Sequence, residues 1–188
     1  LLFLFLTVGL VARSLLDEKR RHVLDRMRAS PIRPAAILAG KCASTVVLGV
    51  LSLSVIWLVT ALALGADWGD PAGVVLLIVA SALAVAGIAG VVAAVARTDQ
   101  AAESFATMVA FVLALVGGSF IPLGDLPDTL RRVSLVSPNG WALQGFAELS
   151  AGGGSVGDVV PHALVLLGFG VVCGGIAAVL LPRRLEAA

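Results

Sequence analysis

The chain has 188 residues, 59% hydrophobic and 13% charged, with a formal net charge of +1 and a mean hydropathy of +1.05. So few charges cannot solvate the surface of a soluble domain this size, and a charge balance near zero gives no electrostatic case for a nucleic-acid partner. Two cysteines exclude a disulfide framework.

The first apolar segment, 1–16, starts inside an apolar run, without Met or a basic leader. That pattern suggests a piece of a longer protein with a further span upstream, and it lacks the n-region and cleavage site of a signal peptide. Four more apolar segments follow at 42–66, 72–96, 105–121 and 159–181. Runs of about 17–25 apolar residues cross a hydrocarbon core of about 30 Å, and lipid leaves no partner for unpaired backbone groups, so these should be helices. The reading is an all-α integral membrane fold, one transmembrane domain over 1–188 with five spans visible.

Between the first two spans lies 17–41, DEKRRHVLDRMRASPIRPAAILAGK. Val23, Leu24 and Met27 form an apolar strip among Lys19, Arg20, Arg21, Asp25, Arg26 and Arg28, and Ser30-Pro31 ends it. This is the pattern of a short amphipathic helix in water beside the membrane. It can act as a basic flank on anionic lipid or as a contact helix for a soluble partner. Gly40-Lys41 imitates the end of a phosphate-binding G-x-x-x-x-G-K-[ST] loop. Ala35 replaces its first glycine and Cys42 its Ser/Thr, and the next element enters the membrane. No nucleotide site is expected here.

Eleven of the thirteen Lys and Arg fall on one side of this topology, with only Arg131 and Arg132 opposite. The positive-inside bias therefore places 17–41 and the C-terminus in the cytoplasm. The segment 122–158 is then outside. Leu126, Leu130, Val133 and Val136 recur there at helical spacing, and Pro122, Pro127 and Pro138 punctuate it. Two short outer helices are expected near 127–136 and 139–150, re-entrant or interfacial, followed by a glycine turn at 152–154. Trp68 and Trp141 sit where interfacial aromatics are favoured.

Ala82, Ala86, Gly90 and Ala94 repeat every fourth residue on the third span, and Gly170 and Gly174 form G-x-x-x-G on the last. Small residues at that spacing let helices approach closely, within one subunit or between two. Cys42 and Cys173 should differ in depth by more than about 10 Å, too far for a bridge. Catalytic groups are scarce: His22 and His162 fall on opposite membrane sides, Ser119 has no evident base, no metal-ligand cluster occurs, and no carboxylate lies deep in a span.

Read in order, Glu18, Leu24, Ser30-Pro31 and Gly40-Lys41, then GIAGVVAAVARTDQAAES, then GGSFIPLGDLP with VSPNGWALQGFAEL, this chain resembles the ABC-2 type permeases, the membrane subunits of bacterial ABC exporters. That family often carries Gly-Thr after the opening charges, where this chain has His22-Val23. The resemblance implies six helices per subunit, two permease subunits as a homo- or heterodimer, and a pair of cytoplasmic ABC ATPase subunits that bind the ATP and Mg. It implies no cofactor on this chain, no enzymatic activity of its own, and residence in the bacterial cytoplasmic membrane. It further implies that the inner segment is a coupling helix contacting the ATPase through Glu18, Arg21, Leu24, Asp25, Met27, Ser30 and Pro31. The outer segment would form a gate with Pro122, Leu126, Pro127, Pro138 and Trp141. A pathway of Ala, Val, Leu and Gly suits an amphiphilic or apolar cargo such as a drug, antibiotic or lipid. The rival expectation is a non-transporting anchor or sensor that recruits a soluble partner through the same basic helix.

Overall fold

Each described helix starts at a proline or a capping side chain. The computed structural model describes residues 34–96, 98–119, 132–151 and 154–186. Five helices are described: α1 Pro34–Ala63, α2 Pro71–Val95, α3 Asp99–Val116, α4 Pro138–Ser150 and α5 Val156–Glu186. The described residues contain no strand.

Among the described residues, three helices are long and apolar enough to cross a membrane, over Cys42–Ala63, Pro71–Val95 and Val156–Leu180, while Gln100–Val116 is a shorter apolar helix. The limits differ from the sequence expectations for local reasons. Helix α1 starts at Pro34 rather than residue 42, because proline at a first helical position gives up an N–H that would be orphaned anyway. It therefore takes in the last part of the stretch assigned above to the inner segment. Helix α3 starts at Asp99 rather than 105, with the Thr98 hydroxyl accepting from the Ala101 N–H at 3.2 Å. It stops at Val116 rather than 121. Gly118 adopts φ 78°, and the Ser119 N–H donates to the Ala114 carbonyl at 3.0 Å, the glycine-dependent wrap that ends helices. Helix α5 starts at Val156 rather than 159, because Asp158 accepts from both the N–H and the hydroxyl of Ser155, at 2.8 and 2.9 Å.

Helix α2 is the centre of the bundle. Of its span 61% is buried, against 11% for α1 and 17% for α5. It packs most extensively on α5 and next on α1. Close approaches give the directions. Gly73 meets Val159, Gly87 meets Gly170 and Cys173, and Gly90 meets Ala177. Positions rise together on both helices, so α2 and α5 run parallel. Cys42 lies by Gly90, while Leu53 and Trp57 lie by Ile78, so α1 is antiparallel to α2.

Helix α4 runs against α2. Leu149 packs on Gly69 and Gly73, and Gly145 packs on Leu77. Its 13 residues climb about 18 Å at ~1.5 Å each. The first turn of α4 therefore lies beside the middle of α2, which spans 25 residues. Large apolar side chains elsewhere face outward: Leu48, Leu51, Val55 and Leu62 on α1, Phe105, Met108, Phe111 and Leu115 on α3, Leu164, Val171 and Val172 on α5. A bundle that turns so many large apolar side chains outward is built for lipid or further helices, not water.

Candidate functional site at the break between α3 and α4

Small polar residues gather where α3 ends and α4 begins. Ser134, Ser137 and Asn139 are each 1% exposed, and Gln144 is buried near Ser134. Ser137 caps α4: its hydroxyl accepts from the Gly140 N–H and lies 3.1 Å from the Ser134 carbonyl, to which it donates. Gly140 is required here because a Cβ would overlap the Ser134 carbonyl. Asn139 reaches back twenty residues and donates from Nδ2 to the Ser119 hydroxyl at 2.6 Å. Gly117 leaves room for it, since a Cβ there would sit 2.5 Å from Asn139 Nδ2. The Gln144 amide lies at 3.5 Å from the Ser134 hydroxyl.

Ser137→Ala removes the cap acceptor. It is expected to destabilise the start of α4 by about 1 kcal/mol. Faster hydrogen exchange at the Gly140 amide, with α5 unchanged, is the expected reading.

Farther along α4, Trp141 donates from Nε1 to the Leu135 carbonyl at 2.6 Å, and its ring meets the His162 ring edge-on at 5.5 Å. His162 Nε2 lies 3.6 Å from Glu148 Oε1, an ion pair when the imidazole is protonated. Among the described residues, three buried polar atoms have no hydrogen-bond partner: Ser81 Oγ, Asn139 Oδ1 and His162 Nδ1. On the α1 side of α4 lies a small apolar cleft of ≈ 130 Å³ between Leu53 and Trp57, Trp68, Ile78 and Phe146. Trp68 stands edge-on to Phe146 at 5.7 Å and donates from Nε1 to the Thr60 hydroxyl at 3.0 Å, so its polar end is satisfied.

Of the gate residues read from the sequence, Pro138 and Trp141 are described. Pro138 is buried at the first position of α4, and Trp141 is half-buried. Pro122, Leu126 and Pro127 lie outside the described residues, as do Glu18, Arg21, Leu24, Asp25, Met27, Ser30 and Pro31. The first half of the expected helix at 127–136 falls there too; in its second half 132–134 form a helical turn. The 139–150 helix is α4. Ala82, Ala86, Gly90 and Ala94 are all buried. Gly170 packs against the backbone of Leu83 and Ala84, whereas nothing lies within 4 Å of a Cβ at Gly174. The small-residue contact thus pairs Gly170 with Gly87 across two helices. Cys42 and Cys173 are free. Gly87 and the Asn139–Ser119 pair are absent from the sequence reading. The signal for the pair was a cluster of small polar residues, Ser134, Ser137 and Asn139, inside an otherwise apolar region.

The arrangement is a cluster of hydrogen-bonded amides and hydroxyls. It places a polar, hydrogen-bonded break at mid-depth beside the central helix of an apolar bundle, an arrangement suited to a membrane pathway. Comparison with known proteins points the same way. Residues 1–179 match the family model described as ABC-2 family transporter protein. The chain is also 28% identical over 172 residues to the linearmycin resistance permease protein LnrN of Bacillus subtilis (strain 168). That alignment covers 92% of this chain and 45% of the relative, so the chain spans less than half of the relative's length. With the family model covering nearly all of it, the chain belongs to the ABC-2 transporter family.

Proposed function

We propose that the chain is part of the membrane-spanning permease of an ATP-driven exporter that moves an amphiphilic or apolar molecule outward. The observation that carries this reading is the polar break at the first turn of α4, beside the middle of α2, in a member of the ABC-2 family. Parallel α2 and α5 need a return crossing between them. Helix α3, about 27 Å long at ~1.5 Å per residue over 18 residues, supplies its first part and ends against the first turn of α4 at Ser119–Asn139, and α4, a half-helix antiparallel to α2, supplies the rest. With segment 1–16 this gives five crossings, and six are expected in the full subunit. The Lys/Arg bias supports a cytoplasmic C-terminus and inner segment. A linearmycin resistance permease among the relatives supports an antibiotic-like cargo.

ATP and Mg belong on a separate pair of ATPase subunits, and a second permease subunit completes the pathway. Closure of the ATPase pair acts on the permease through a rigid contact. The inner helix supplies that contact, with Leu24 and Met27 as the apolar anchors and Glu18, Arg21 and Asp25 steering, tied to α1 through Ser30-Pro31.

The test is affinity purification of the full-length protein from its native membrane, with mass spectrometry, beside a variant carrying Leu24→Asp and Met27→Asp. An ABC ATPase should accompany the wild type and be lost from the variant. No ATPase from well-folded wild type would remove the motor and leave the membrane-anchor reading in its place.

A further inference from the structure

We propose that the Asn139–Ser119 hydrogen bond is a latch that closes the break between α3 and α4 and opens in each transport cycle. The inference rests on the exporter reading. It starts from the confinement of Asn139. The residue is 1% exposed, its Nδ2 holds the Ser119 hydroxyl at 2.6 Å, and its side chain is pressed against Gly117. A hydroxyl both donates and accepts, so the pairing survives either orientation of the carboxamide. The side chain can leave only if α3 and α4 separate.

Two observations say that they do. Asn139 Oδ1 is buried with no partner. A stranded acceptor costs about what a hydrogen bond contributes, so the closed state is held by geometry and not by a deep well. Separation lets water or a cargo hydroxyl reach Oδ1 and removes that cost. The second observation is how unevenly α4 is attached. It packs broadly on α5 and α2 but only lightly on α3, and α3 itself touches α2 lightly. The moving part is therefore α3. Its inner face of Ala106, Ala110 and Ala114, all buried, is smooth, whereas Phe105, Met108 and Phe111 face outward. A small-residue face slides without a bulky side chain having to withdraw.

The test uses the full-length permease with its ATPase in vesicles, with Cys42 and Cys173 replaced by alanine. A Ser119→Cys, Asn139→Cys pair should cross-link readily under copper phenanthroline without nucleotide. With ATP and vanadate the rate should fall about five-fold or more, the factor expected from one hydrogen bond. Failure to cross-link without nucleotide, or a rate that nucleotide leaves unchanged while ATP is being hydrolysed, overturns the latch. If no ATPase accompanies the permease, the exporter reading falls, and the latch is judged on the permease alone. There an Ala114→Cys reporter should react about five-fold faster with a water-soluble maleimide when Ser119→Ala is added. Equal rates would overturn the proposal.

Discussion

Gly87→Leu is expected to prevent the bundle from assembling, whereas Gly174→Leu should leave the isolated subunit near its normal stability. A Cβ at Gly87 would stand 2.6 Å from the Gly170 carbonyl oxygen, 3.1 Å from the Gly170 Cα and 3.2 Å from the Cys173 Cβ. The nearest obstacle is backbone, which cannot swing aside as a side-chain tip can. Overpacking by one carbon typically costs about 1–3 kcal/mol, and Gly87→Ala should fall in that range. Leucine must push α2 and α5 apart along the most extensive contact in the bundle. The measurement is thermal melting of the detergent-solubilised full-length protein, followed by size exclusion. Loss of the monodisperse peak is expected for Gly87→Leu. A melting curve indistinguishable from wild type would show that the two helices do not meet here.

The second large effect is at Gly69. Gly65 and Gly69 both have positive φ, 64° and 72°, so an alanine at either pays the left-handed backbone cost of roughly 1–2 kcal/mol. They differ in what surrounds them. Nothing lies within 4 Å of a Cβ at Gly65, while one at Gly69 would overlap the Leu149 carbonyl. Leu149 cannot yield easily: it is 0% exposed and wedged against Gly73. Gly69→Ala should therefore destabilise by several kcal/mol, adding overpacking to strain, and loosen the C-terminal end of α4. Gly65→Ala should lose the backbone term alone. Equal losses in the two melting curves would rule out the crowding at Leu149.

These two sites mark what the sequence carried and what it hid. The all-helical class and the limits of α2 and α4 were legible because apolar length, proline and capping residues act within a few positions of one another. The alanine-glycine face 82–94 was legible because a four-residue repeat reports one side of one helix. It does not report which residue of another helix arrives there. Gly87 lies outside that repeat, and its partner Gly170 was read together with Gly174, a neighbour on its own helix. Asn139 and Ser119 are separated by twenty residues, and no local pattern joins them. Their meeting follows from where Gly118 stops α3 and where Ser137 starts α4. The end of α3 at Val116 was missed for the same reason, because hydropathy continues past a glycine that the backbone does not.

Parallel packing of α2 on α5 also sets a timetable for biosynthesis. Roughly 80 residues separate Gly87 from Gly170, so at ~5–20 residues per second the ribosome makes α5 on the order of ten seconds after α2. During that interval the face that will receive α5 lies against lipid or the insertion machinery. Its alanines and glycines are at home in lipid, but they also let any helix with a matching small-residue face approach closely, so Gly170 opposite Gly87 is what fits α5 to that face. Bulkier residues there would hold α5 off when it finally arrived, whatever had kept the face covered in the meantime.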